Sequence, residues 1–377
     1  MKKIIVIGGG IASCMYAYKV KKEHPNYQVT IVEKSDKLLK RILVSGNGRC
    51  NFFNEALLRN NVYESYNYMS FFEYFNLASL SEELLEMLSD MGFAYYFDNE
   101  GRAYPFANTS ESLWNTLVNS LKKVDVNILL NSEVRNIFPD KKTIKVNDKE
   151  QEYDTLFIGV GGAAYDRGLN TFKNIFESMN INYIDQSPAL CPVTIQQKIP
   201  RFLSGTRLKG NLTLYKDDTP FYDEQGELLF KKDGISGICV FNSSLFINDD
   251  SKYTIKFNPF IHDKCMTSLD GKKPLEYLHG FFPSRLIEYF ATLGYKKMDD
   301  EDVLNSLQFT VKGKYPLKNS QISLGGINPN EIETNLSLSK YPNIFVGGEI
   351  VDLHGICGGY NIGSALLMGF KAADSVD

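Results

Sequence analysis

The stretch KKIIVIGGGIASCMYAYKVKKEHPNYQVTIVEK, residues 2–34, sets the fold class of this 377-residue chain. It starts with a short apolar run that stops at three glycines, as buried parallel strands do. Residues 11–22 contain no helix breaker and place Ala12, Met15, Tyr16 and Val20 near helical spacing. QVTIVEK reads as a second strand ending at Glu33. Strand, glycine turn, helix and strand, closed by an acid about twenty residues on, is the order of a dinucleotide-binding βαβ unit. Gly8 then permits the tight turn. Gly10 lets a pyrophosphate approach the helix start at Ile11–Ala12, and Glu33 accepts from a ribose hydroxyl. Ser13 stands where the pattern has its third glycine, which implies slightly looser helix–strand packing. A plain βαβ unit with a glycine turn is the alternative, and Glu33 at the strand end weighs against it.

Working outward, residues 45–54 read SGNGRCNFFN. Gly46 and Gly48 allow positive φ and close approach to a ligand. Lys40, Arg41 and Arg49 add positive charge for phosphates. Taken alone, the segment is also compatible with an exposed connecting loop. At the far end, residues 343–373 read NIFVGGEIVDLHGICGGYNIGSALLMGFKAA, a strand ending in glycines, two acids, and a glycine turn opening a helix.

SGxGRCNxxN together with GExxDxxGxxGGYN resembles the BaiN/YhiN-type flavoproteins, also described as aminoacetone-oxidase-like FAD-binding enzymes. The resemblance spans almost the whole chain in the same order. It implies an α/β fold with a Rossmann-like FAD-binding domain, an inserted antiparallel β-barrel or sandwich, and a small helical subdomain. It also implies FAD contacts from Gly8, Gly10, Ile11, Ala12, Glu33 and Lys34. Further contacts are implied from Lys40, Arg41, Ser45, Gly46, Gly48, Arg49, Cys50 and Asn51. Val134 in LNSEVRNI, with its backbone on the adenine, and Gly161-Gly162 after the strand in YDTLFIGV extend the set. Gly348, Glu349, Asp352, Gly359, Tyr360 and Asn361 complete it, with Asp352 on the ribitol or phosphate region. The helix starting near Asn361 aims its positive end at the flavin pyrimidine edge. Cys50 lacks a second cysteine a few residues away, so we read its thiol as structural.

Between SPALCPV and LQFTV the pattern changes to short strands with turn signals. We assign 1–186 and 321–377 to the FAD-binding domain, 187–261 and 307–320 to the inserted β domain, and 262–306 to the helical subdomain. One departure stands out. Where the family has a Y-P-x-x-GSTGDG-like loop, this chain has GGAAYDRGLNTFKN, residues 161–174. That difference leaves the substrate open.

Composition narrows the classes further. Hydrophobic content of 43% and charge of 23% are globular values, and net charge −4 gives no global drive toward nucleic acid. Six scattered cysteines without a CxxC pair fit reduced thiols in a cytosol, and four histidines show no metal-ligand spacing. No metal site is expected. The segment up to Cys14 imitates a lipoprotein signal, but three glycines make a poor signal helix. No run reaches the ~20 apolar residues of a membrane span. A cytoplasmic protein without membrane contact is therefore expected.

By resemblance, the function is that of an FAD-dependent oxidoreductase transferring hydride at flavin N5. The substrate is an enone-type small molecule, an amine, or an rRNA uridine reduced to dihydrouridine. The middle of the chain holds no second GxGxxG-like cradle, so either NAD(P)H binds transiently on the insert or an external donor serves. A small molecule is the favoured partner and RNA the less favoured one. No catalytic acid or base is assigned; Tyr360, Tyr165, His354 and Arg49 are the polar candidates near the ring. The alternative is a flavin-binding protein without turnover.

Overall fold

β-Branched residues dominate the strands that build the central sheet. In the computed structural model, which describes residues 1–59, 66–67, 75–164, 171–259, 269 and 271–376, these begin with β1 (Lys3–Ile7) and β2 (Gln28–Val32). They continue with β3 (Asn127–Leu129) and β4 (Thr155–Ile158). The barrel strands are β5 (Val193–Ile195), β6 (Arg207–Lys216), β7 (Thr219–Lys231), β8 (Gly234–Ser236), β9 (Tyr253–Asn258) and β10 (Gln308–Lys314). The sheet ends with β11 (Ser337–Leu338) and β12 (Tyr341–Val346).

The chain divides into two compact units, Met1–Ser187 with Leu324–Asp377, and Pro188–Ser323. In the first, six strands form one sheet in the order β11-β12-β4-β1-β2-β3. Every pair is parallel except β11–β12. Helix α1 (Ile11–Glu23) is buried along Ile11–Val20, on nearly all its faces, because α2 (Tyr360–Ala373) covers the side turned away from the sheet. The contact is close. A Cβ on Gly369 of α2 would lie 2.1 Å from the Ala12 carbonyl oxygen of α1. Lys19 is 4% exposed, donates to Phe370 O and pairs with Asp374, so its charge is neutralised between the helices.

Ser13 corrects the expectation of looser packing. It is fully buried, and its Oγ donates to Gly159 O at 3.2 Å. A Cβ on Gly159 would sit 2.3 Å from that Oγ. The missing glycine of the helix is thus replaced by a glycine at the end of β4.

The second unit is a closed antiparallel barrel in the order β5-β8-β7-β6-β9-β10, one of the two forms expected. GICVFNSS, expected among strands, instead forms a short helix, Ile238–Ser243. Gly237 has φ +111, and a Cβ there would lie 1.8 Å from Glu227 O, so the chain leaves the strand at that point. Leu278, Leu286 and Phe290, from the described part of the helical stretch, share one core with the barrel residues Leu212, Phe230 and Phe309. No described helix is long and apolar enough to cross a membrane.

Candidate functional site

Parallel strands place their carboxyl ends at one edge. From β1 the chain moves to β2 on one side, while β4 and β12 lie on the other. The resulting switch point between β1 and β4 is where an open α/β sheet offers a crevice. Gly8, φ +92, leaves β1 so close to β4 that a Cβ would lie 2.6 Å from Gly159 O. Gly10 is the N-cap of α1 and supplies no capping side chain, so the helix start keeps amides for an external acceptor. Glu33 closes β2. Its carboxylate accepts from Gly9 N (2.5 Å) and Ser35 N (2.7 Å), which fixes its orientation beside the turn. Ser132 N donates to Glu33 O (2.9 Å), bringing the segment before Val134 to the same end; Val134 itself is buried.

The loop after Glu33 takes the shape its glycines allow. Gly46, Asn47, Gly48 and Cys50 all have positive φ, from +54 to +84. Ser45 is tied down by Oγ donating to Ile42 O at 2.7 Å. Lys40, Arg41 and Arg49 each have partners within the protein. Lys34 is exposed, and Lys40 pairs with Asp36 on the surface (2.7 Å). Arg49 stacks on Tyr104 (4.4 Å) and donates to Asn108 Oδ1 (2.8 Å) and Tyr96 OH (3.3 Å). Arg41 donates to Glu349 Oε2 (2.9 Å) and Gly162 O (3.4 Å), joining three segments that follow three different strands. Acceptors brought near by folding engage Lys40, Arg49 and one nitrogen of Arg41, and sequence spacing does not show them.

Cys50 is fully buried, and burial pushes its thiol up to about 11. The thiolate therefore forms only in strong alkali. Because the folded value lies above the ordinary ~8.5, this group's contribution to stability is complete below that pH. It is lost as pH rises toward about 11. Native protein at pH 8 is expected to react with a thiol reagent at Cys50 far more slowly than denatured protein. Equal rates would remove the structural reading.

Asn51 and Asn54 answer what SGNGRCNFFN is for. With the Asn51 amide oriented so that its oxygen accepts from Gly359 N (3.2 Å), its nitrogen donates to Phe53 O (3.2 Å). Asn54, 5% exposed, donates to Gly358 O at 2.8 Å. Gly359 has φ +94, and a Cβ there would lie 2.2 Å from Phe53 O. The early loop is a latch on the last glycine turn.

That turn is further braced. Asn361 accepts from Gly355 N (2.8 Å) and donates back to Gly355 O (2.9 Å), so its side chain closes the loop. Tyr66 OH donates to Tyr360 O (2.8 Å). Asp352 is 8% exposed, and its Oδ1 accepts from Gly325 N at 2.8 Å. Gly348 has φ +80 and lies against Ala12. Gly161, φ +76, faces the Arg41 guanidinium. His354 Nδ1 lies 3.6 Å from Asp352 Oδ1. Tyr165 and Gly168 lie outside the described residues.

Asn54, Gly159, Tyr66 and Gly325 were not singled out by the sequence reading. Only Asn54 carried a signal, as the last asparagine of its motif. A polar dinucleotide fits this edge. Arg41 Nη2 and His354 Nδ1 are buried with no hydrogen-bond partner among the described residues, and the start of α1 is uncapped by side chains.

The description "HI0933-like protein Rossmann domain" matches residues 2–375. The chain belongs to that family. HI0933-like relatives include a 3-dehydro-bile acid delta(4,6)-reductase of Clostridium scindens, 25% identical over 99% of this chain and 98% of that one. A ribosomal RNA dihydrouridine synthase of Escherichia coli is 24% identical over 95% of this chain and 93% of that protein. Among solved structures, a 3-ketosteroid-delta4-(5alpha)-dehydrogenase from Rhodococcus jostii RHA1 shares the fold, with TM-score 0.52 and 13% identity. It is covered over 96% of its length by 99% of this HI0933-like chain.

Proposed function

We propose that the chain is an FAD-dependent oxidoreductase that reduces a carbon–carbon double bond conjugated to a carbonyl, with NADH or NADPH as donor. The observation that carries the reading is the latch: Asn51 and Asn54 hold the turn that starts α2 against the loop following β2. This encloses a cradle at the switch point. When bound, the flavin supplies hydride at N5.

The residues' own contributions follow from their placement. Glu33, already oriented by two amides, is poised to accept from ribose hydroxyls. The α1 start offers amides to a pyrophosphate, and Gly46 and Gly48 remove side chains where the backbone must approach. Arg41, held by Glu349, keeps its buried Nη2 for an anionic or carbonyl oxygen. The N-terminus of α2, capped only by Gly359 backbone, favours negative charge developing nearby. The substrate class is supported by the names of the two relatives, a delta(4,6)-reductase and a dihydrouridine synthase. Net charge −4 favours a small ring compound over RNA.

Purified protein is expected to be yellow or to take up added FAD. Anaerobic NADH or NADPH should bleach it, and a cyclic enone should restore the colour. Protein that stays colourless with FAD supplied ends the reading. A flavin left oxidised by both nucleotides supports binding without turnover. Reoxidation by a uridine-containing RNA strand and not by enones moves the substrate to RNA.

A further inference from the structure

Of the three asparagines in SGNGRCNFFN, the latch uses Asn51 and Asn54, and Asn47 is left over. Asn47 is exposed, and its side chain forms no hydrogen bond with any described residue. It stands at φ +55 and ψ +37, a conformation that asparagine tolerates better than most side chains. Gly48 follows at φ +84, with nothing within 4 Å of where a Cβ would sit. Asn47–Gly48 is the only asparagine–glycine pair in the chain.

Such a pair carries its own chemistry. The Gly48 amide nitrogen attacks Asn47 Cγ, the Cγ–Nδ2 bond breaks, and ammonia leaves with the amide proton. Water then opens the cyclic imide at one carbonyl to give aspartate. Opening at the other gives isoaspartate, whose backbone runs through Cβ. Asparagine and water are consumed, an acid and ammonia are released, and no redox partner takes part. The glycine favours ring closure twice, since it has no Cβ to shield its nitrogen and it lets the peptide plane turn. That turn is required, because the nearly planar ring is far from ψ +37. Two hydrogen bonds that span the pair resist it, Arg49 N to Gly46 O (3.1 Å) and Cys50 N to Ser45 O (3.2 Å). The reactive state is therefore the locally opened loop. A ligand that binds the closed loop lowers the open population.

We propose that Asn47 is a self-modification site: it deamidates in the cofactor-free protein, and FAD held by the loop suppresses the reaction. The second half rests on the FAD reading above. Conversion places a negative charge in the loop that carries Arg49. Isoaspartate also adds a methylene to the backbone between Ser45 and Cys50, which those two hydrogen bonds span. The seating of Asn51 on Gly359 shifts, and the modified chain holds FAD several-fold more weakly.

Peptide mapping by mass spectrometry, with an isoaspartate methyltransferase assay, follows the native full-length protein during storage in mildly alkaline buffer. Asn47 is expected to convert many-fold faster than Asn131, which is also exposed and at φ +52 but precedes Ser132. Saturating FAD, with uptake checked by fluorescence quenching, should slow the conversion several-fold. Asn47→Gly suits the left-handed loop and should end conversion there, with circular dichroism and FAD affinity unchanged. Asn47→Asp has the charge without the extra methylene and should bind FAD more tightly than aged protein. Conversion at Asn47 no faster than at Asn131 overturns the site. An equal rate with FAD bound overturns the protection. Protein that takes up no FAD sinks the function proposal, while the cofactor-free rate still decides the site.

Discussion

Gly359→Ala is expected to leave a folded protein that binds FAD roughly a hundredfold more weakly. At φ +94 an alanine carries left-handed strain of about 1–2 kcal/mol. Its Cβ would also lie 2.2 Å from Phe53 O and 2.6 Å from the Asn51 side-chain amide. Backbone oxygen cannot yield as a flexible side chain can, so the turn must move off the early loop. The latch opens, and with it the cradle. A total near 3 kcal/mol corresponds to about two decades in affinity. Titration by flavin fluorescence quenching measures it, alongside a thermal melt. Affinity within twofold of the parent would mean that the latch does not shape the cofactor site.

Gly369→Val separates stability from cofactor binding. This glycine lies where α2 crosses α1, with 2.1 Å between a would-be Cβ and Ala12 O. Valine must push two buried helices apart, at a cost of roughly 3 kcal/mol or more. For a unit of this size that lowers the melting temperature by about 6–12 °C. The loss should appear in the apoprotein, without FAD. A melting temperature unchanged from the parent would show that the crossing is slack.

The sequence made the scaffold readable where one rule dominated. The glycine turn after an apolar strand, with Glu33 ending the next, specified β1, α1 and β2 because period and turn chemistry agree there. The barrel was legible from alternation, except at Ile238–Ser243. That segment has strand-like residues, yet the close backbone approach at Gly237 overrides them. The site was only partly legible. Positions needing positive φ, Gly46 and Gly48, announced themselves by residue type. The partners of Arg41, Arg49 and Lys40 did not, because a guanidinium or ammonium has several candidate acceptors and only tertiary packing selects among them. Likewise, nothing in a string of letters shows that Ser13 and Gly159 exchange roles across a helix–strand contact.

The latch between Asn54 and Gly358 joins residues 304 positions apart. At about 5–20 residues per second, a ribosome needs on the order of 15–60 s to cover that interval. Throughout this time the nascent chain carries a half-built nucleotide cradle. On the proposed reading of this edge as the cofactor cradle, acquisition of the coenzyme is expected to be a late, post-translational event. The cell's free FAD concentration at chain release, rather than during elongation, should govern the yield of holoprotein.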